Sequence, residues 1–434
     1  MDYLFKNALL LNPGEGQARR ADVAVKDGLV AGVTQPGTQT ADAAGRETID
    51  CADMLMIPAL YNAHTHLPMS LFKGISDDLP LDRWLFEKIF PAEDKLNSEM
   101  CYWASLLSLA ECAQNGVVSC SDMYWFYDGI LRAVDESGMK INASRAVQSF
   151  DENEDMARNH RLAEGRALYE NWHGACDGRI RVDMSLHAEY TSNPRCAAAV
   201  IDYAAAHGAG LHVHLSETKS EHEGCIARHG MTPAAYFGSL GLFELHAGLA
   251  HGVWLEDSDI ELLRGRDVTV MHCPASNMKL ASGAAPVTKL LAAGVNVAIG
   301  TDGSASNNRL DVLRELELCS LLQRVTNLDS ALMPPSSLLG LATRGAARWQ
   351  GRPDCGSIAP GMRADITLLD LASIEGCPMY DDNTAGALAY SLNSRNVAYT
   401  MCDGRMIYAR GEHKTIDVER VRREVGVILE RVRG

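Results

Sequence analysis

The sequence predicts an α/β protein: a (β/α)8 TIM-like barrel with a small β-sandwich formed by the N- and C-terminal segments. Three observations predict this fold. Short apolar runs broken by turn residues precede residue 57, strand-like runs then alternate with stretches of helical period, and strand-like runs return after residue 356. We expect the sandwich to comprise residues 1–57 and 357–434, and the catalytic barrel residues 58–356.

The N-terminal segment is predicted to contain small antiparallel β-structure. Its strand-like runs are Ala8–Leu11, Ala21–Val25 and Leu29–Val30. They are separated by Asn12–Gly16 and by Asp27-Gly28, whose residues are typical of turns. Residues 35–47 are rich in Gly, Thr, Ala and Asp and predict a loop.

Eight apolar runs predict the strands of the barrel. They are Ile57–His66, Gly116–Met123, Ile141–Val147, Ile180–His187, Gly210–Glu217, Gly248–Leu255, Val268–His272 and Val295–Asp302. Stretches of helical period lie between them, such as Met100–Asn115 and Ala197–His207, the second followed by Gly208 as a helix stop. A doubly wound open sheet is the alternative. No Gly-rich phosphate loop follows the first strand, which counts against a dinucleotide fold.

The C-terminal segment is predicted to return to β-structure. Ala364–Asp370 has the pattern of a strand, and Val397–Cys402 and Arg405–Ala409 flank Asp403-Gly404, a strong hairpin signal. We expect these strands to join those of the N-terminal segment. Val418–Val432 predicts a terminal amphipathic helix with a solvated, Arg-rich face.

The composition excludes several classes of protein. Of the 434 residues, 47% are hydrophobic and 22% are charged, as in soluble globular proteins. A net charge of −16 disfavours nucleic acids and anionic membranes as partners. The twelve cysteines form no CxxC motif, which indicates reduced thiols. The acidic start Met1-Asp2-Tyr3 is unlike a signal peptide, and no apolar run could span a bilayer. We therefore expect a cytoplasmic protein.

Histidines collect at the ends of the predicted strands, where barrels of this type carry their functional residues. Seven of the 14 histidines lie there, namely His64, His66, His187, His212, His214, His251 and His272. The last strand ends in Asp302. This concentration indicates a common site rather than scattered surface or core histidines.

The residue types at these strand ends are those of a metal site. His64 and His66 lie two positions apart, so an extended strand directs both side chains to one face. With one imidazole from strand five and the carboxylate of Asp302, they would bind a borderline divalent cation: Zn²⁺ by default, with Fe²⁺ or Mn²⁺ as alternatives. An open coordination position would hold a water molecule and lower its pKa towards ~7.

Strand five offers two candidate ligands. His212 and His214 lie on the same face of this strand. We choose His214, because His214-x-x-Glu217 places a carboxylate just past the ligand. His212 is the competing choice, and it would otherwise be a buried, hydrogen-bonded histidine.

The motifs at the strand ends resemble those of the amidohydrolase superfamily, specifically the mononuclear-metal aminohydrolases and most closely the 5′-methylthioadenosine/S-adenosylhomocysteine deaminases. The matching segments extend over nearly the whole chain and are Asn62–Leu71, Asp77–Leu81 with Trp84-Leu85, His187–Thr191, His214–Thr218, His272–Asn277 and Gly300–Asn308. The resemblance implies hydrolytic removal of the C6 amine of an adenosine derivative, with ammonia as the second product. The metal motifs are specific to the superfamily, whereas the other segments leave the substrate open.

The resemblance also implies a role for each residue of the site. The metal ligands would be His64, His66, His214 and Asp302. One ion is expected, because strand four carries no lysine that could bridge a second. Glu217 would carry a proton from the attacking water to the ring nitrogen beside the attacked carbon. His251 would orient that water, and Asp302 would pass a proton to the departing amine.

Four further residues are implied as substrate contacts. Glu93 is similar in position to the acceptor of the ribose hydroxyls, and His187 would contact the purine or the ribose. Arg161 resembles an arginine that holds the carboxylate of S-adenosylhomocysteine, and Arg145 resembles a second one. The planar fork of arginine binds both oxygens of a carboxylate.

The chain departs from the family pattern in two places. Residues 148–159 form an acidic loop through Asp151, Glu152, Glu154 and Asp155. We expect this charge to repel a free carboxylate and to favour a neutral substrate, such as 5′-methylthioadenosine, 5′-deoxyadenosine or adenosine. Glu189 stands where proline is common and predicts a small local change in the pocket.

Other reactions on the same metal centre stay open at this point. Deamination of guanine, 8-oxoguanine or a pterin, or hydrolysis of a triazine, would use the same activated water. Glu93 with Arg161 favours a nucleoside over a bare base. A non-catalytic barrel would lack ligands, yet all four and Glu217 are present. A homo-oligomer is common among such barrels.

Overall fold

The computed structural model describes residues 3–38, 47–75, 78–380 and 382–433. Part of the predicted loop 35–47 and Asp77 of the motif Asp77–Leu81 lie outside these residues. The β-strands are β1 Tyr3–Leu10, β2 Arg19–Lys26, β3 Leu29–Thr34, β4 Glu47–Asp50, β5 Met54–Pro58, β6 Leu60–Thr65, β7 Val117–Tyr124, β8 Lys140–Val147, β9 Ile180–Val182, β10 Met184–Leu186, β11 Leu211–Leu215, β12 Ala247–His251, β13 Val268–His272, β14 Asn296–Ile299, β15 Ile366–Asp370, β16 Val397–Cys402, β17 Arg405–Ala409 and β18 Glu412–His413.

Helices fill most of the remaining chain. The α-helices are α1 Leu81–Trp84, α2 Phe90–Glu93, α3 Ser98–Gln114, α4 Tyr127–Ser137, α5 His160–Trp172, α6 Pro194–His207, α7 Lys219–His229, α8 Pro233–Ser239, α9 Asp257–Leu263, α10 Pro274–Lys279, α11 Val287–Ala292, α12 Ser304–Asn307, α13 Val312–Asn327, α14 Pro335–Leu341, α15 Arg344–Trp349, α16 Thr384–Tyr390 and α17 Val418–Arg433. Turns of 3₁₀-helix lie at Leu67–Phe72, Glu189–Thr191, Leu242–Glu244, Ile374–Gly376 and Ser394–Asn396, and a π-helical turn at Leu85–Ile89. Among the described residues, no helix is both long and apolar enough to cross a membrane.

Parallel strands form the predicted barrel, in the order β6-β7-β8-β10-β11-β12-β13-β14, with β9 paired to β8. The strands β9 and β10 together replace the predicted fourth strand, which is interrupted at Asp183. Beyond the last residue of β14, the N–H of Asp302 donates to the carbonyl of His64 at 3.0 Å, which joins the chain after β14 to β6. The (β/α)8 prediction is therefore confirmed.

The prediction of one strand from Ile57 to His66 is wrong, because this run contributes to two sheets. β5 pairs antiparallel with β15 in the terminal sheet, whereas β6 pairs parallel with β7 in the barrel. Both strands are completely buried, so one apolar run covers both. The chain crosses between the sheets at Ala59, where we propose that the first domain boundary lies.

The two ends of the chain form a separate sheet, in the order β18-β17-β16-β15-β5-β1-β2-β3, with β4 beside β1. This sheet has a hydrophobic core of its own, distinct from that of the barrel. Two further hydrogen bonds join the β2–β3 hairpin to the segment before β15. The N–H of Val30 donates to Met362 O and the N–H of Ala364 donates to Gly28 O, both at 2.9 Å. The prediction that both termini build one small β-unit beside the barrel is confirmed.

Local sequence signals set the ends of several elements. α3 begins after Asn97, whose side chain accepts a hydrogen bond from the N–H of Met100. α6 ends before Gly208, which has φ +65°, as predicted from the helix stop. Asp403 and Gly404 both have positive φ between β16 and β17, which confirms the hairpin.

The interior of the barrel is filled by an aromatic side chain from α15. Nε1 of Trp349 donates to the carbonyl of Ala63 in β6 at 3.1 Å, and its ring lies 5.6 Å from that of His212. A Cβ atom at Gly248 in β12 would lie 2.4 Å from the Trp349 ring, so this close approach requires glycine.

Candidate active site

A cavity opens at the carboxyl-terminal ends of the barrel strands. The predicted site residues that line it are His66, Glu93, His187, His214, Glu217, His251 and Asp302. His64 is fully buried beside them. Arg145 and Arg161 line an adjoining cavity, which shares Phe90, Glu93 and Trp125 with the first.

His64 presents its Nε2 atom, because its other ring nitrogen is engaged. Ser144 Oγ donates to Asp122 O at 2.9 Å, so it accepts from Nδ1 of His212 at 3.0 Å. Nε2 of His212 therefore accepts from Nδ1 of His64 at 2.9 Å. The buried Nε2 of His64 has no hydrogen-bond partner among the described residues. A cation would satisfy this orphaned nitrogen.

Three further histidines present Nε2 for the same reason, since their Nδ1 atoms bond to oxygen acceptors. The pairs are His66 with Met123 O at 2.5 Å, His214 with His187 O at 2.7 Å and His251 with Asn277 Oδ1 at 2.9 Å. These partners fix both the tautomer and the direction of each ring.

Ligand atoms of His64, His66 and His214 lie within 4.8 Å of one another, as do those of His64, His251 and Asp302. Oδ1 of Asp302 lies 3.2 Å from Nε2 of His66 and 3.5 Å from Nε2 of His64. Three imidazole nitrogens and a carboxylate are a usual donor set for zinc and related divalent ions. His64, His66, His214 and Asp302 could therefore hold a divalent ion, and together they are called the metal-binding group.

Asp302 reaches this group because β14 approaches β6 closely. A Cβ atom at Gly300 would lie 2.8 Å from the backbone nitrogen of His64, so the approach requires glycine. Oδ2 of Asp302 accepts from the hydroxyls of Ser276 and Ser306, each at 2.6 Å. Oδ1 accepts from the N–H of Gly303 at 2.7 Å. The carboxylate is thus held on several sides.

The charges around this group favour a cation. Burial lowers the pKa of His64 to about 4 and also lowers that of His214, so both imidazoles are neutral. Burial opposes ionisation of Asp302, but contact with His64 and His66 holds its pKa well below the usual range. The same contact raises the pKa of His66 to about 9 against the effect of burial. A bound cation would replace the proton between His66 and Asp302.

Glu217 lies beside the metal-binding group. Its Oε2 atom is 3.7 Å from Nε2 of His251. Burial raises its pKa, the nearby Asp302 raises it further, and His251 opposes the shift. A carboxyl group with a raised pKa can both accept and return a proton near neutral pH. The cavity thus places a carboxyl group with a raised pKa next to the metal-binding group.

A sequence model of the amidohydrolase family matches residues 55–407. The chain belongs to the amidohydrolase family. It is 40% identical over 403 residues to a 5′-deoxyadenosine deaminase of Methanothermobacter thermautotrophicus, covering 93% of this chain and 92% of that one. It is 40% identical over 429 residues to a 5-methylthioadenosine/S-adenosylhomocysteine deaminase of Desulforudis audaxviator, covering 98% and 97%. The crystal structure of an adenosine deaminase from Xanthomonas campestris with bound zinc has a TM-score of 0.91 at 30% identity, covering 100% and 98%.

Two of the predicted substrate residues of this amidohydrolase face the cavity. Oε1 of Glu93 accepts from the hydroxyl of Tyr124 at 2.7 Å, and its buried Oε2 has no hydrogen-bond partner among the described residues. Burial raises the pKa of Glu93 to about 8. Nδ1 of His187 lies 3.1 Å from Thr191 Oγ1, and burial lowers its pKa to about 3. Both side chains have capacity for further hydrogen bonds.

The two predicted arginines of this amidohydrolase lie farther from the metal-binding group. Nε of Arg145 donates to Glu164 at 2.6 Å and Nη1 donates to Ala146 O at 2.6 Å, so its charge is paired. Arg161 is half-buried and forms no ion pair with the other described residues. The structure thus places one paired and one unpaired guanidinium beside the adjoining cavity.

Two acidic side chains of the acidic loop have partners within it. Glu154 accepts from the hydroxyl of Ser149 and, at 3.0 Å, from the side chain of Asn159, and these neutral donors leave its charge in place. Asp155 lies 3.7 Å from the cationic side chain of Arg158, so its charge is partly compensated.

The other departure from the family, Glu189, lies in a 3₁₀ turn next to the cavity. Its side chain is almost fully buried and bonds to Arg228 and His229 of α7 instead of lining the cavity. The next residue, Tyr190, does line it. The ion pairs therefore attach the turn that carries Tyr190 to α7.

Sequence reasoning missed several residues that hold the site together. Ser276, Asn277 and Ser306 bond to Asp302 or His251 and lie in the quoted motifs, directly after strand ends. Their position after the strands was the signal that could have identified them. Of the aromatic side chains in the cavity wall, Tyr124 carries the same signal as the last residue of β7, whereas Trp84 lies in α1 rather than at a strand end.

Proposed function

We propose that this amidohydrolase removes the C6 amino group of adenosine derivatives, giving the inosine form and ammonia. The main support for the proposal is that the metal-binding group, Glu217 and His251 lie together in one cavity. The names of two 40% identical relatives, which cover more than nine-tenths of the chain, support an adenosine-type substrate.

We infer that the resident metal is a single divalent ion, with Zn²⁺ preferred over Fe²⁺ and Mn²⁺. His64, His66, His214 and Asp302 would hold it. Such an ion supplies acidity, since it lowers the pKa of a water molecule towards ~7. Three nitrogens and one oxygen suit zinc, and zinc is bound in the related adenosine deaminase.

Glu217, His251 and Asp302 have separate roles in the proton transfers. Glu217 takes a proton from the attacking water and delivers it to the ring nitrogen beside C6, a task that its raised pKa favours. Nε2 of His251, directed by Asn277, orients that water. Asp302 assists in removing the second proton of that water, after its oxygen has bonded to C6, and passes this proton to the amine, which departs as ammonia.

Glu93 would recognise the ribose, because its buried Oε2 atom has no hydrogen-bond partner among the described residues and can bond to a ribose hydroxyl. His187 is placed to contact the purine or the ribose. The pairing of Arg145 with Glu164 removes one of the two charges that would attract a carboxylate. We therefore propose that neutral substrates, namely 5′-methylthioadenosine, 5′-deoxyadenosine and adenosine, are preferred over S-adenosylhomocysteine.

The proposal is tested by ammonia release from zinc-loaded protein across a panel of compounds. The panel holds the four adenosine derivatives with guanine, 8-oxoguanine, a pterin and a triazine. We expect turnover of the adenosine derivatives and its loss after chelation, with recovery on adding zinc. Faster turnover of a bare base or a triazine would overturn the proposal.

The role of Glu217 is tested with a pair of variants. Glu217→Gln is expected to keep the metal and lose most turnover, because an amide cannot shuttle the proton. Glu223→Gln is the matched control, since Glu223 is exposed and pairs with Lys219 on the surface of α7. Full activity of Glu217→Gln would refute the assignment.

A further inference from the structure

Behind the cavity, the buried carboxylate of Glu221 bonds to the backbone that carries Glu217. Its Oε2 atom accepts from the N–H of Glu217 at 2.6 Å, and its Oε1 atom accepts from the N–H of Ser216 at 3.0 Å. The residue is 6% exposed. Both oxygens of a buried carboxylate are thus committed to two consecutive peptide groups.

The sequence places Glu221 in the first turn of α7, three residues after the helix cap. Thr218 Oγ1 accepts from the N–H of Glu221 at 3.1 Å, which is half of a capping box. In the usual capping box, the carboxylate would bond to the N–H of the cap residue itself. Here it bonds to the two residues before the cap, so it holds the loop between β11 and α7.

The backbone of that loop is strained at Ser216. Ser216 has φ +50°, in the left-handed region that residues with a Cβ seldom adopt. On the opposite side, the carbonyl of Ser216 accepts from the N–H groups of Val253 and Trp254 at 3.0 and 2.9 Å. The loop is therefore fixed between Glu221 and the segment that follows His251.

The carboxylate of Glu217 depends on this support. Within the described part of the chain, no hydrogen bond to a side chain or backbone group holds it, and its Oε2 atom lies 3.7 Å from Nε2 of His251. Its position is therefore set by the backbone at residues 216 and 217 and by packing. A small shift of that backbone would change the distance over which a proton is transferred.

We propose that Glu221 is a positioning residue for the reaction: it fixes the two peptide groups at Ser216 and Glu217 and so keeps the Glu217 carboxylate beside His251. This inference rests on the proposed function of Glu217 as the proton carrier. A carboxylate that merely stabilised α7 would change the melting temperature and leave kcat unaltered.

The test compares Glu221→Gln with Glu223→Gln, an exposed glutamate two residues along the same helix. Glutamine keeps one oxygen acceptor but turns its NH₂ group towards the other N–H, so one of the two bonds is lost. In zinc-loaded protein acting on 5′-methylthioadenosine, we expect kcat to fall on the order of tenfold or more, with KM within about twofold. Metal content and melting temperature, measured in parallel, confirm that the variant is folded and loaded.

A double variant separates positioning from a general structural effect. In the Glu217→Gln background there is no proton carrier left to position, so adding Glu221→Gln should cause no further loss of kcat. Losses that multiply would overturn the proposal, as would a folded, zinc-loaded Glu221→Gln with the kcat of the wild type. A fully active Glu217→Gln would instead refute the proposed function, so the two failures are distinguishable.

Discussion

Nε2 of His212 lies 2.9 Å from Nδ1 of His64. An imidazole outside the metal-binding group thus decides which nitrogen of His64 faces into that group. Ser144 determines which imidazole is the donor in this bond. Its hydroxyl donates to Asp122 O and therefore accepts from Nδ1 of His212, which leaves Nε2 of His212 as the acceptor. The metal-binding group is supported by this buried chain of hydrogen bonds from β7 and β8.

Replacing His212 should therefore weaken metal binding without removing a ligand. In His212→Phe an aromatic ring is kept, but Nδ1 of His64 loses its acceptor and the tautomer is no longer enforced. We expect the affinity for Zn²⁺ to fall by roughly 10–100-fold, measured by competition with a chelator. His207→Phe, at an exposed position on α6, is the control. Unchanged affinity in His212→Phe would show that the relay has no effect on the metal.

Glu93 offers a test of how the ribose is recognised. Glu93→Ala removes the unpartnered Oε2 atom, so we expect kcat/KM for adenosine to fall about tenfold or more, as for the loss of a hydrogen bond to a polar ligand. The difference should nearly vanish with 2′,3′-dideoxyadenosine, which lacks the hydroxyls. Glu87→Ala, an exposed neighbour, controls for local charge. An equal loss with both substrates would assign Glu93 to another role.

The pairing of Arg145 predicts a change in selectivity. Glu164→Gln removes the carboxylate 2.6 Å from Nε of Arg145 and so frees its charge for a ligand. We expect kcat/KM for S-adenosylhomocysteine to rise several-fold relative to that for 5′-methylthioadenosine, with a smaller rise at high salt because Glu164 is largely exposed. Glu152→Gln tests the acidic loop in the same assay. A larger effect of Glu152→Gln would make the loop, rather than Glu164, the source of discrimination.

Glu315 predicts a pH dependence of stability. Burial raises its pKa to about 8 from an ordinary value of 4.5, although the N–H of Ala275 and the amide of Asn307 oppose the shift. Between these values the folded protein holds a proton that the unfolded chain has released, so this contribution to stability is lost as pH rises towards 8. In wild-type protein the free energy of unfolding should fall by about 2 kcal/mol more between pH 6 and 8 than in Glu315→Gln. The free energy of unfolding is measured by urea titration at each pH. If it changes equally with pH in the wild type and in Glu315→Gln, the assignment is wrong.

Local patterns in the sequence predict most of the architecture. Apolar runs, turn residues and helix stops are properties of neighbouring residues, so the alternation of strands and helices, the Asp403-Gly404 hairpin and the end of α6 at Gly208 follow from them. The division of the run Ile57–His66 does not follow, because β5 and β6 are equally buried and the change of sheet at Ala59 leaves no mark on apolar character.

By itself, the sequence determined which residue types stand at the strand ends, and it predicted that His64, His66, His214 and Asp302 would bind one metal ion. Only the tertiary structure decided which nitrogen each histidine presents, that Glu164 pairs with Arg145, and that Glu221 holds the peptide of Glu217. The physical reason is that a side chain's identity is local, whereas its hydrogen-bond partners are chosen by contacts between distant parts of the chain.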